Sequence, residues 1–391
     1  MRTITLFCFL ALLASCSSSR FVEYQNSNEI IGKGGNVQLV DLAAFSTQEV
    51  HTYCLSLPKL TDVGLGQLIH CTKTLLGRNN LSSNLRNYAI SNYNYAIYHL
   101  LKNGNDGASS EGRVTLIHSN LNHFIFSEEM LAKDPSLQPK IFGELGIPVV
   151  FSRDNQQVGL DRYAPLEGVM KDATLIVSDI KIRKKRFEVM LDLQFYSNHS
   201  NLMIGTNQYL LRHSPGAAYL ALIEKADIDD YNWLGFVSPK QAEKRRGVFA
   251  IGGIFKDKIP LIMIHGLNSD PLIWRHLTMA ILNEPSLMSR YQIWHIYYPS
   301  GPPPFYTASK TRDNLHSLLT EIGSNNLKEE AVIIGHSMGG VIAKLLAVKT
   351  DFSLWNTAFN QSPEHLLTEN DVSLKNIFIF DPVFNLNTVF S

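Results

Sequence analysis

The segment Gly335-His336-Ser337-Met338-Gly339 sets one hydroxyl between two glycines. Serine attacks a carbonyl efficiently where its side chain is accessible, a base takes its proton, and donors wait for the charge that moves onto the carbonyl oxygen. A Gly-x-Ser-x-Gly spacing serves these needs at a sharp strand-to-helix turn. The bend pushes the hydroxyl outward, and the glycines remove side chains that would collide as strand and helix close on each other. The first N–H groups of such a helix have no intrahelical partner, so the N–H of Met338 faces any oxyanion formed beside Ser337. A second donor is expected from Ile264-His265-Gly266-Leu267, where an apolar run ends in His-Gly: the N–H of Leu267. The chemistry implied is acyl transfer through an ester on Ser337. His265 reads as a residue that shapes the loop rather than as the base.

Both motifs need elements to hold them. Val332-Ile333-Ile334 is a short β-branched run that predicts a buried strand, and Val341 to Val348 keeps a helical pattern. Lys258 to Ile264 predicts a second apolar strand. Between them come a helix around Trp274 to Leu282, a strand over Tyr291–Tyr298, and a helix from about Ala308 to Ile322. Strands alternating with helices predict an α/β fold on a parallel sheet.

Residues from about 258 to 391 resemble an α/β-hydrolase of the serine esterase and lipase type, through IPLIMIHGLNSDPLIWRHL and VIIGHSMGGVIAKLLA. The closer resemblance is to bacterial exported esterase-like proteins, distantly similar to lipases that remove acyl chains from membrane lipids. It implies an α/β-hydrolase sheet, Ser337 as nucleophile, and the backbone of Leu267 and Met338 as oxyanion hole. Gly335, His336 and Gly339 form the elbow; His265 and Gly266 form the loop. It further implies an ester or lipid ester as substrate, with no cofactor and no metal. In this fold acid and base follow the serine, which sets His265 aside as base. The chain departs from the family here, because nothing like the family's TPHRGS residues follows. Only 54 residues come after Ser337, where the fold needs at least two more strand–helix units to reach its acid and histidine. The expectation is a partial, C-terminally incomplete hydrolase domain over 248–391, its catalysis impaired because acid and base are missing, with Thr388-Val389-Phe390 beginning its next strand. An alternative recruits His365 as base and Asp381 as acid, against the usual order. An acyltransferase or thioesterase using the same serine, and a non-catalytic envelope lipoprotein on a hydrolase-like scaffold, are the rival functions.

The rest of the 391 residues bounds the setting. Thirty-five basic and 35 acidic side chains balance, so nothing global points to nucleic acid. Met1-Arg2, the apolar run Ile4–Leu13 and small residues after it predict a signal peptide over 1–16, too short to span a membrane as a mature helix. Leu13-Ala14-Ser15-Cys16 resembles a bacterial lipobox, which implies a lipid anchor on Cys16, a serine tether from Ser17, and an envelope site facing the periplasm, by analogy at the outer membrane. Cys54 and Cys71 are equally compatible with a disulfide and with two buried thiols. Residues 17–112 predict tether and helices, with Tyr88, Tyr93, Tyr95 and Tyr98 packing between them. Residues 113–240 predict a small β-rich region of antiparallel hairpins, including a basic turn at Lys181–Arg186, followed by a helix from Pro215 to Ala226. A charged linker at 238–247 leads into the hydrolase part. His118, His123, His199 and His213 lack metal-ligand spacing.

Overall fold

Apolar periods in the first half of the chain build helices on one face of a sheet. The computed structural model describes residues 19–25, 31–32, 35–104, 114–117, 124–183, 185–196, 201–226, 243–323, 330–366, 372–384 and 389–390. The expected signal peptide with Cys16, residues 238–242 of the expected linker, and His118, His123 and His199 lie outside the described residues. Strand β1 (Val22–Tyr24) precedes helices α1 (Thr47–Ser56), α2 (Asp62–Leu76) and α3 (Ser83–Gly104). A capping box opens α1: Ser46 Oγ accepts from the Glu49 N–H, and the Glu49 carboxylate accepts from the Ser46 N–H. A disulfide joins Cys54 to Cys71, Cα atoms 5.7 Å apart, so of the two states left open by the sequence the bonded one is present. By closing a short loop it restricts the unfolded chain by about 3 kcal/mol.

Strands β2 (Val114–Ile117), β3 (Phe124–Phe126), β4 (Met130–Ala132), β5 (Ile147–Arg153), β6 (Val169–Arg183) and β7 (Arg186–Phe195) follow. Five of them form a sheet in the order β2-β7-β6-β5-β3, and β4 pairs with β1. The pairings are antiparallel except that of β2 with β7, which is parallel where hairpins were expected. The β6–β7 hairpin turns at the basic run, with Lys185 at φ 59°. Leu65 and Leu68 of α2, Tyr93 of α3, and Val149, Leu175 and Val189 of the sheet share one core. Tyr93 Oη accepts the Val177 N–H at 2.9 Å, tying α3 to β6.

A small hairpin, β8 (Asn201–Ile204) with β9 (Asn207–Leu210), leads to helix α4 (Pro215–Lys225). A helix apolar on all sides must be covered on all sides. Residues Gly216 to Ile223 are all buried, because α4 lies between two sheets: Val150 of β5 packs on one side of it, and Leu261, Met263 and Ile293 of the C-terminal sheet on the other.

The C-terminal part contains β10 (Gly247–Ile251), β11 (Ile259–Ile264), α5 (Arg275–Leu282), α6 (Pro285–Arg290), β12 (Tyr291–Tyr297), α7 (Pro304–Ile322), β13 (Val332–Gly335), α8 (Met338–Ala347), α9 (Ser353–Ala358), α10 (Pro363–Leu366), α11 (Val372–Phe378) and β14 (Val389–Phe390). Its sheet runs β10-β12-β11-β13-β14. Strands β11 to β14 are parallel, and Val389 and Phe390 pair beside Ile333 and Ile334 where the next strand was expected to begin. The expected all-parallel sheet is corrected at one edge: β10 runs antiparallel to β12, closing the sheet with a strand that no crossover helix requires to be parallel. Side chains alternate across the sheet. Ile262, Ile264 and Ile333 face α7 and α8, whereas Leu261 and Met263 face α4 and α5. From β11 the chain moves to β12 on one side, then returns to β13 on the other. The loops after β11 and β13 therefore depart to opposite faces, and such a reversal opens a crevice at the carboxyl ends of the strands.

Candidate active site

Both motifs meet at that crevice. One residue, His336, separates Ser337 from β13; Ser337 has φ 55° and ψ −120°, and its side chain is exposed. A non-glycine residue held at positive φ is strained, and such strain persists where the surroundings impose it. The surroundings are backbone. A Cβ on Gly335 would lie 2.4 Å from Gly339 O, and one on Gly339 would lie 2.3 Å from Ile264 O and 2.5 Å from His265 O. Gly266 closes the third side, since a Cβ there would come within 2.8 Å of His336 Nδ1 and 3.1 Å of Ser337 Cβ. The His336 N–H donates to Ile264 O at 3.0 Å, so the end of β11 and the turn after β13 are joined by a hydrogen bond as well as by contact.

The two N–H groups expected as donors lie on the turn and on the loop. Met338 is the first residue of α8, where an N–H has no intrahelical acceptor. Leu267 follows Gly266 in the loop, and among the described residues its N–H makes no backbone hydrogen bond. The next N–H, of Asn268 at φ 49°, donates to Ser300 Oγ at 2.8 Å, which fixes the loop on the end of β12.

His265 is buried and spent on structure. Its Nε2 accepts the Tyr298 N–H at 3.3 Å, its Nδ1–H donates to Gly266 O at 2.9 Å, and its ring stacks on Tyr298 at 4.1 Å. Tyr298 Oη in turn donates to His265 O at 2.6 Å. Burial pushes the imidazole down to about 4, so it is neutral and holds the loop. His295 of β12 is also buried, 2.9 Å from Thr278 Oγ1 through Nε2, and burial with the neighbouring His265 pushes it down to about 3.

No described side chain hydrogen-bonds Ser337 Oγ. His365 sits on α10 with its Nδ1 2.8 Å from Ser362 Oγ, and both His365 and Asp381 are exposed. Arg312 of α7 is buried and donates to the carbonyls of Asn376 and Ile379, fastening the end of α11 and the residue after it to α7. Sequence reasoning missed Arg312, Tyr298 and Ser300. The polar cluster Tyr297-Tyr298-Pro299-Ser300 at the carboxyl end of a strand was the available signal. Beside the loop, a cavity of about 80 Å³ is lined mainly by apolar groups of Leu222, Phe249, Ile251, Leu272 and Tyr297. Among the described residues no cluster could hold a metal ion, and no helix is long and apolar enough to cross a membrane. Compared with known protein families, with curated proteins and with solved structures, the chain matches none.

Proposed function

We propose that this chain is a serine ester hydrolase of the α/β-hydrolase type, with Ser337 as its nucleophile. The observation that carries the reading is the strained Ser337 backbone, held between three glycines at positions where side chains would collide with the turn. The reversal of strand order between β11 and β13 supports the fold assignment. In the reaction, Ser337 Oγ adds to the ester carbonyl and the oxyanion rests on the N–H groups of Leu267 and Met338. The Ser337 hydroxyl proton passes to water as Oγ adds, collapse expels an alkoxide that takes a proton from water to leave as the alcohol, and water then cleaves the acyl ester on Ser337 to release the acid. With no described base on Ser337 Oγ, turnover draws on the donors and on positioning, and it is slow. The leader composition supports a lipidated Cys16 and a lipid ester as substrate in a bacterial envelope. Mass spectrometry of the mature N-terminus should find a diacylglyceryl group on Cys16, and an unmodified terminus would discard the anchor.

A fluorophosphonate probe should label the 391-residue chain at Ser337, with Ser337→Ala unlabelled. Hydrolysis of p-nitrophenyl esters should be weak and unchanged in His365→Ala and Asp381→Ala. Absence of labelling in a folded chain would reject the nucleophile. Robust turnover lost in all three variants would show that His365 and Asp381 complete an unorthodox triad.

A further inference from the structure

The N-terminal end of the described chain lies beside the loop that carries Leu267. We propose that the face they share docks on a phospholipid bilayer and takes its ester substrate from that bilayer; the substrate clause rests on the esterase reading of Ser337. Glu224, at the end of α4, accepts the backbone N–H groups of Arg20 at 2.8 Å, Phe21 at 2.5 Å and Val22 at 3.1 Å. Phe21 O accepts the Lys133 N–H at 2.9 Å, and β1 pairs with β4. The start of the described chain is thus clamped. Arg20 and Phe21 line a cleft with Ser269, Asp270, Ile273 and Arg275, the segment that follows Leu267, while Gly266 abuts Ser337.

The chain that precedes this clamp says what covers the face. Cys16 and the apolar run Ile4–Leu13 stand shortly before Ser19. Three residues span at most about 10 Å, so an acyl group on Cys16 brings the membrane surface to the cleft. The face itself suits an interface. Leu267, Ile273 and Leu277 are 57%, 37% and 38% exposed. Ile273 and Leu277 are four residues apart across the start of α5 and share one side of it. Arg20 and Arg275 line the cleft together with Asp270, whose carboxylate accepts the Leu272 N–H, so the two arginines outnumber the one acid there. Apolar side chains flanked by arginines partition into the headgroup boundary of anionic membranes. The basic β6–β7 hairpin is a weaker candidate, because Lys181 pairs with Asp179 and Arg183 with Glu188.

Hydrogen exchange of the full chain, in a Ser337→Ala background, tests the proposal on vesicles of mixed phosphatidylcholine and phosphatidylglycerol. Amides of residues 266–278 should exchange several-fold more slowly on vesicles than in solution, with residues 201–210 of the β8–β9 hairpin unchanged. An Ile273→Asp/Leu277→Asp variant with its N-terminus intact should lose that protection. Equal exchange on and off vesicles, protection centred on 201–210, protection that survives the double substitution, or protection that appears with protein concentration alone and so marks a second copy would each overturn it. Because this readout needs no turnover, a docked face on a chain whose wild-type Ser337 fails to react with the probe would support the surface and reject the esterase reading separately.

Discussion

Acidification from pH 7 to pH 4 is expected to remove about 6 kcal/mol of folding stability, through two histidines that the fold keeps neutral. His265 and His295 are buried with values of about 4 and about 3, against about 6.5 in an unfolded chain. Their folded values are depressed, so the unfolded state takes up protons first as pH falls. The stability they support is fully present above about pH 6.5 and declines by about 1.4 kcal/mol per pH unit for each group, down to its folded value. Asp172 works the other way. Burial raises its carboxyl against the opposing pull of His213 and the Ser214 N–H, so its protonation favours the folded state as pH falls and returns part of the loss. Urea unfolding midpoints at pH 7, 5.5 and 4.5 measure the balance. His295→Phe should reduce the histidine part of the slope by about half, and a slope unchanged by that substitution would show that His295 is not held neutral by the fold.

Gly339→Ala should cost about 3 kcal/mol or more and abolish probe labelling at Ser337. The added methyl meets the carbonyl oxygens of Ile264 and His265 at 2.3 and 2.5 Å. These are backbone atoms of β11 and its loop, so no rotamer change relieves the clash. The strand and α8 have to separate, which removes the donors along with the packing. Gly247→Ala is the control: its methyl would meet the Phe249 ring at 3.5 Å, ordinary contact, and should leave both readouts unchanged. A Gly339→Ala chain with normal thermal unfolding and normal labelling would mean that β11 and α8 do not approach as described.

The elbow, the His-Gly loop and the strands that carry them were legible because each is local. Apolar runs of strand length, glycines at fixed offsets and a serine between them state their own geometry within a few residues. What escaped was nonlocal. Strand β5 has four consecutive buried residues, Ile147 to Val150, and so lacks the alternation by which a strand is read. Helix α7 begins at Pro304 rather than near Ala308, since a proline occupies its first turn, where its missing N–H costs nothing. The antiparallel edge β10, the position of α4 between two sheets, and the distance between Cys54 and Cys71 depend on how distant segments meet. His295 looked like one more residue of a buried strand, and its neutrality follows from neighbours that sequence spacing does not reveal.

The clamp on Glu224 also sets an order of events during synthesis. The three N–H groups it receives belong to residues 20–22, just over 200 positions earlier in the chain. At about 5–20 residues per second, the nascent start of the protein waits about 10–40 s for its acceptor to be made. Its pairing partner β4 is made about halfway through that interval, but β1 has neither Glu224 nor the finished α4 behind it until the end, and before β4 appears its edge is open to other chains. A chain that makes its first strand early and seats it late depends on whatever holds that strand apart in the meantime.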